Sequence, residues 1–146
     1  MRRRALLILA SMMLGVLMLG GVALAKEITG TSGSDDLEGT SRADKIWGLQ
    51  GPDYIAGEQG SDDLYGGRGK DEVRGAYGHD YVVGGHGSDH LYGGRKNDWL
   101  EAVDGERDHV NCGYGHDDKA YVDEIDRVNN NCEDVKEYDD PKAYDR

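Results

Sequence analysis

Residues 84–92 read GGHGSDHLY: three glycines and an aspartate set ahead of a single leucine. Nine residues earlier the pattern is GAYGHDYVV, and nine later it is GGRKNDWLE. From Gly30 to Glu101 the register holds without a gap. The preceding nonapeptides are GTSGSDDLE, GTSRADKIW, GLQGPDYIA, GEQGSDDLY and GGRGKDEVR, which makes eight in all. Position one is Gly in every copy. Position six is always Asp: Asp35, Asp44, Asp53, Asp62, Asp71, Asp80, Asp89 and Asp98. Position eight is always a branched aliphatic: Leu37, Ile46, Ile55, Leu64, Val73, Val82, Leu91 and Leu100. Position four is Gly except at Arg42 and Lys96. Composition bias alone does not keep three columns aligned over this length.

The period implies a geometry. Six glycine or polar residues read as a turn, and three centred on an aliphatic read as a short strand. Side chains alternate across a strand, so only the middle one points inward. Such a unit cannot bury its apolar side chain alone. Two units closing one coil, with the next coil about 4.8 Å above, bury it between two parallel sheets. The expected fold is therefore all-β, a right-handed β-solenoid with two repeats per turn. Glycines at positions one, two and four are expected to supply the positive φ angles of the turn.

These nonapeptides resemble the haemolysin-type calcium-binding repeat, the repeats-in-toxin (RTX) motif, over residues 30–101. The resemblance implies a parallel β-roll with several calcium ions held between successive turns. Backbone carbonyls of the glycine loops and aspartates from two loops would be the ligands. Donor chemistry points the same way, because carboxylate and carbonyl oxygens suit a large, flexible ion and disfavour zinc or copper. Magnesium keeps its water and demands an octahedron. A turn aspartate can instead cap its own turn, but eight at spacing nine favour a metal. Asp35, Asp53, Asp71 and Asp89 fall on one side, and Asp44, Asp62, Asp80 and Asp98 on the other. Four loops leave three gaps, so three sites per side are expected. Arg42 and Lys96 put the first and last gaps of the second side in question. Without calcium, the like-charged columns are expected to keep the chain unfolded.

After Leu100 the register slips, then resumes loosely. Asp108, Asp117 and Asp126 are again nine apart, followed two residues on by Val110, Lys119 and Val128. Residues 102–135 read as diverged coils that close the roll, since open β edges invite aggregation. Asp108 and Asp117 are further candidate ligands. Asp126, without glycines before it, reads as surface, and Lys119 stands where an aliphatic belongs. Cys112 and Cys132 are twenty apart, close to one coil, so adjacent turns would bring them within bridging distance. This segment also resembles the paired-cysteine ends of small secreted bacterial calcium-binding proteins. Residues 136–146 read as a polar tail and 26–29 as a short leader.

Residues 1–25, MRRRALLILASMMLGVLMLGGVALA, have a basic start, an apolar run and a small-x-small exit at Ala23-Leu24-Ala25. This is the layout of a cleavable secretory signal. The competing reading is a retained anchor. Across the whole chain, 29 acidic against 17 basic residues give a net charge of −12. Losing Arg2, Arg3 and Arg4 leaves 29 against 14, or −15. A secreted chain so acidic excludes nucleic acid and anionic membrane as partners of the mature form. Its two cysteines are expected to pair.

No catalytic chemistry is expected. His79, His86, His90, His109 and His116 occupy variable, outward positions, and there is no nucleophile elbow or buried base. One feature lies outside the calcium reading. Trp47 and Tyr65 in position nine, with Tyr81 and Trp99 in position seven, gather aromatics on one sheet. They either cover a thin sheet or offer a face to a glycan, a protein or a second copy. The remaining alternative is an accessory repeat module of a secreted enzyme.

Overall fold

The computed structural model describes residues 25–138. Apart from Ala25, the expected signal lies outside the described residues, as do residues 139–146 of the tail. Strands recur about every nine residues. They are β1 (Glu27–Thr29), β2 (Asp36–Thr40), β3 (Lys45–Gln50), β4 (Tyr54–Glu58), β5 (Asp63–Arg68), β6 (Glu72–Tyr77) and β7 (Tyr81–His86). The rest are β8 (His90–Arg95), β9 (Trp99–Ala102), β10 (His109–Tyr114), β11 (Lys119–Val122), β12 (Arg127–Val128) and β13 (Asp134–Glu137).

Odd-numbered strands form a seven-stranded sheet in chain order, and even-numbered strands form a six-stranded one. Every strand pairing is parallel, and Ile46 faces Leu64, which faces Val82, at the 18-residue step of one coil. The result is a parallel β-roll of about six turns, as the repeat implies. No helix among the described residues is long and apolar enough to cross a membrane.

The core is one aliphatic residue deep on each sheet. Ile46, Ile55, Leu64, Val73, Val82, Leu91 and Leu100 all have zero exposure. Ile28 and Leu37 at one end and Val128 at the other are only partly buried, because each lacks a coil beyond it. Strands run longer than the expected three residues, from position seven through the glycine of the next repeat. Alternation makes that glycine inward-facing too, so the strand continues past it without adding a side chain to the interior.

Both ends differ from the sequence reading. The presumed leader is β1, whose Ile28 pairs with Ile46. The presumed tail begins inside β13, where Lys136 pairs with Tyr121. Beyond the repeats the coil lengthens: His90 faces His109, a step of 19, and Trp99 faces Lys119, a step of 20. These insertions place Ala120 in the core at zero exposure, while Lys119 faces outward. The inward slot held by glycine in the repeats is here filled by Ala102, Cys112 and Val122, all buried. Cys112 and Cys132 form a disulfide with Cα atoms 5.2 Å apart. Closing a loop of that length contributes about 3 kcal/mol.

A core this thin makes each rung matter. Leu64→Ala should cost about 2–5 kcal/mol in urea unfolding at saturating calcium. Tyr114→Ser, at a residue 82% exposed, should change stability by less than about 0.5 kcal/mol.

Candidate metal centre

Each position-six aspartate enters the interior at the start of a strand, where its two oxygens have different surroundings. Oδ1 accepts the backbone N–H of the aspartate one coil earlier. Asp35 N donates to Asp53 Oδ1, Asp44 N to Asp62, and Asp53 N to Asp71, each at 2.8 Å. The ladder continues through Asp80, Asp89 and Asp98. It then reaches Asp108 at 2.7 Å and Asp118 at 2.8 Å.

Oδ2 is buried and has no hydrogen-bond partner at Asp53, Asp62, Asp71, Asp80, Asp89, Asp98, Asp108 and Asp118. Leaving a buried acceptor unpaired is costly, and more so when it is charged. Eight in register is a systematic feature rather than a local fault.

From Asp53 to Asp98 those oxygens face the position-one glycine. A Cβ built on Gly66 would lie 2.7 Å from Asp71 Oδ2 and 2.5 Å from the carbonyl oxygen of Gly84 in the next coil. Gly57, Gly75 and Gly93 are similarly enclosed by an aspartate Oδ2 and a carbonyl one coil on, at Gly75, Gly93 and Cys112 respectively. The position-one glycine therefore serves close approach, and its φ is not among the positive values. Positive φ belongs to positions two and four, as at Gly67 (112°) and Gly69 (144°). Leu49, Glu58 and Ala76 at position two and Lys96 at position four adopt it without being glycine, at 77–83°. Lys96 thus preserves the loop that its side chain had put in question.

The first two loops depart from this pattern. Thr31 and Thr40 occupy position two, and a β-branched residue resists positive φ. Both loops instead turn their threonine N–H and hydroxyl onto Oδ2 of Asp35 and Asp44. Here the aspartate caps its own turn, the alternative open to any such residue. Arg42 lies in the second of these loops.

At the other end, the expected ligand Asp117 is exposed, and Asp118 is the buried residue. Asp117 was favoured by spacing, but the extra residue in that loop moves the column by one. Asp126, read as surface, accepts from the N–H groups of Asp108 and Asp123. Glu133 accepts from Asp118 N in the same way. Asp123, also absent from the expected set, receives Asp104 N and Gly105 N on Oδ2. These carboxylates take backbone donors as a closing cap, whereas Asp53 to Asp118 keep one oxygen free.

Hard oxygen donors now face one another in six places. The pairs are Asp53/Asp71, Asp71/Asp89 and Asp89/Asp108 on one side, and Asp62/Asp80, Asp80/Asp98 and Asp98/Asp118 on the other. In each, a Cβ on the glycine would collide with the aspartate Oδ2, so only glycine lets the backbone lie against that oxygen. Carboxylate and carbonyl oxygens in this number suit calcium. A calcium ion would supply the positive charge that the buried oxygens lack, and the chain's part is to hold those oxygens in register.

Sequence comparison agrees with the geometry. The family model of the RTX calcium-binding nonapeptide repeat (4 copies) matches residues 29–64 and again 65–100. Residues 29–100 are an array of RTX calcium-binding nonapeptide repeats. Comparison with curated proteins and with solved structures gave no match. In this RTX array and at Asp108 just beyond it, burial raises the aspartate pKa values, opposed by the Oδ1 hydrogen bond and reinforced in most by the neighbouring aspartates. Asp71 and Asp80 are pushed up to about 6, Asp62 and Asp89 to about 7, and Asp98 and Asp108 to about 8. At Asp80, His79 and Lys96 act downward instead.

A carboxyl whose folded pKa is raised favours folding while it is protonated. That contribution is fully present below the unfolded value near 3.8 and is lost as pH rises through about 6–8. In chelator, the β signal in circular dichroism should therefore grow as pH falls from 8 to 4. In saturating calcium, the same descent should weaken the fold as protons compete for the ligands.

Proposed function

We propose that this is an exported calcium-binding β-roll that folds when several calcium ions load its two aspartate columns. The observation that carries the reading is the row of buried, unpartnered Oδ2 atoms facing glycine slots. Six cradles are assigned, three per side, at Gly48, Gly57, Gly66, Gly75, Gly84 and Gly93. This is the expected number, moved one coil toward the C-terminus because Thr31 and Thr40 occupy Asp35 and Asp44.

Magnitudes support ligand-driven folding. Extracellular calcium modules bind at about 0.1–1 mM. At about 1 mM free ion and a constant of about 0.1 mM, one site contributes about 1.4 kcal/mol. Six such contributions fall within the net stability of a whole domain, about 5–15 kcal/mol. The N-terminal signal fits this account, since export delivers the chain to millimolar calcium.

The alternative of an extracellular adhesion or matrix protein turns on the aromatic sheet as a face for a glycan or a protein. Six rings form a continuous ladder there: Trp47, Tyr65, Tyr81, Trp99, Tyr121 and Tyr138, with successive centroids 4.9–6.1 Å apart. Lys45 lies over Trp47 and Tyr65, Lys119 over Trp99, and Lys136 over Tyr121. Among the six, only Trp99 and Tyr138 reach 40% exposure. The rings contact one another and are capped by lysines, which supports a cover for a one-residue-deep core.

Circular dichroism during a calcium titration tests the proposal. Calcium should raise a cooperative β signal, and chelator should abolish it. Asp80→Asn, which enters two pairs, should lower stability in calcium by about 3 kcal/mol. Asp117→Asn should leave the titration unchanged. A β spectrum indifferent to chelator would contradict the assignment.

A further inference from the structure

The second surface of interest lies on the six-stranded sheet, away from the aromatic ladder. His90, His109 and Arg127 face one another across β8, β10 and β12. Ser88 and Arg107, in the loops that lead into β8 and β10, are both exposed. Together with Lys70 they line an open groove of about 480 Å³. Three permanent cations and two imidazoles thus converge on a chain whose net charge is −12.

These cations are not spent on carboxylates. The ion pairs among the described residues are Lys45–Asp63 and Arg74–Glu72, and Lys70, Arg107 and Arg127 belong to neither. Glu72, which precedes His90 in its row, is engaged by Arg74 through Nε at 2.8 Å. Arg107 donates its Nε to the carbonyl of Ile125 at 3.1 Å, which orients the guanidinium and leaves its terminal nitrogens available. His109 Nε2 sits 3.2 Å from Asn129 Oδ1, and the His90 ring meets the His109 ring edge-on at 5.7 Å. So many positive groups oppose a metal ion between the two rings. They match an anion, because the guanidinium fork and the lysine ammonium are the usual donors to tetrahedral oxyanions.

We propose that this groove binds a sulfate- or phosphate-type oxyanion. The inference rests on the calcium reading in one respect. Asp89 and Asp108 lie at the floor of the groove, and their charge opposes an anion until a cation neutralises it. Anion binding is therefore stronger in the calcium-loaded protein, and linkage requires the anion to tighten calcium by the same factor.

The test is an NMR titration of the full chain, following the His90 and His109 ring signals. Calcium loading is first established by calorimetry on the same sample. One arm uses sodium sulfate and the other a sulfated disaccharide. Saturable shifts are expected, with affinity at least about tenfold weaker in the double variant Lys70→Gln, Arg127→Gln. Arg68→Gln, outside the groove, should not alter it. Equal affinity in the two arms identifies the free ion as ligand, and a tighter disaccharide identifies a pendant group; both support the site. Calcium binding without histidine shifts in either arm overturns the inference alone, as do shifts unaffected by the double variant. Failure of calcium to bind in calorimetry overturns the calcium reading, whatever sulfate does.

Discussion

Carboxylates of like charge, stacked one coil apart in a water-excluded interior, are the constraint around which this chain is organised. Their register follows from the parallel pairing of the strands that carry them, so they cannot move apart without undoing the sheets. Each carboxylate gives one oxygen to the backbone of the coil beneath, which fixes its orientation. The other is buried without a partner from Asp53 through Asp118. Folding these columns uncompensated sets the desolvation of charge against a core one aliphatic deep. Under the proposed function an external cation reverses that balance, and metal binding and folding become one event.

The ends of the roll show how the same backbone proceeds where that device is absent. In the first coil, threonine replaces the positive-φ residue and supplies its own donors to Asp35 and Asp44. In the last coils, Ala102, Cys112 and Val122 stand at the inward position that glycine holds in the repeats, and a disulfide joins Cys112 to Cys132. Asp123 and Asp126 there receive backbone N–H groups. The middle of the array thus keeps carboxylate oxygens unpartnered, while at both ends the chain itself satisfies them.

Much of this was legible in the sequence, for a physical reason. A strand side chain has only two choices of face, and a coil of two nonapeptides returns every residue to the same place, so period nine reports both the core and the aspartate columns. Glycine's dual role was less visible, since the letter is the same whether it serves a positive φ or close approach. The shift of the buried column from Asp117 to Asp118 is hard to read, because a one-residue insertion leaves no mark in composition. Its trace lies in the core position instead: Lys119, two after Asp117, cannot be buried, whereas Ala120, two after Asp118, can. Capping by Thr31 and Thr40 could have been read from β-branched residues at a position that demands positive φ. The anion groove was out of reach, because its cations and histidines come from four successive coils and stand at variable positions.

The central claim is that unpartnered carboxylate oxygens, paired across coils, are calcium ligands, and their number follows from the geometry. Equilibrium dialysis of the purified chain against labelled calcium measures that number directly. Four free-oxygen aspartates per column leave three gaps, so two columns predict about six ions per chain. Asp80→Asn, shared by two gaps, should remove about two of them. A stoichiometry of one or two ions, or one unchanged in that variant, would contradict the account.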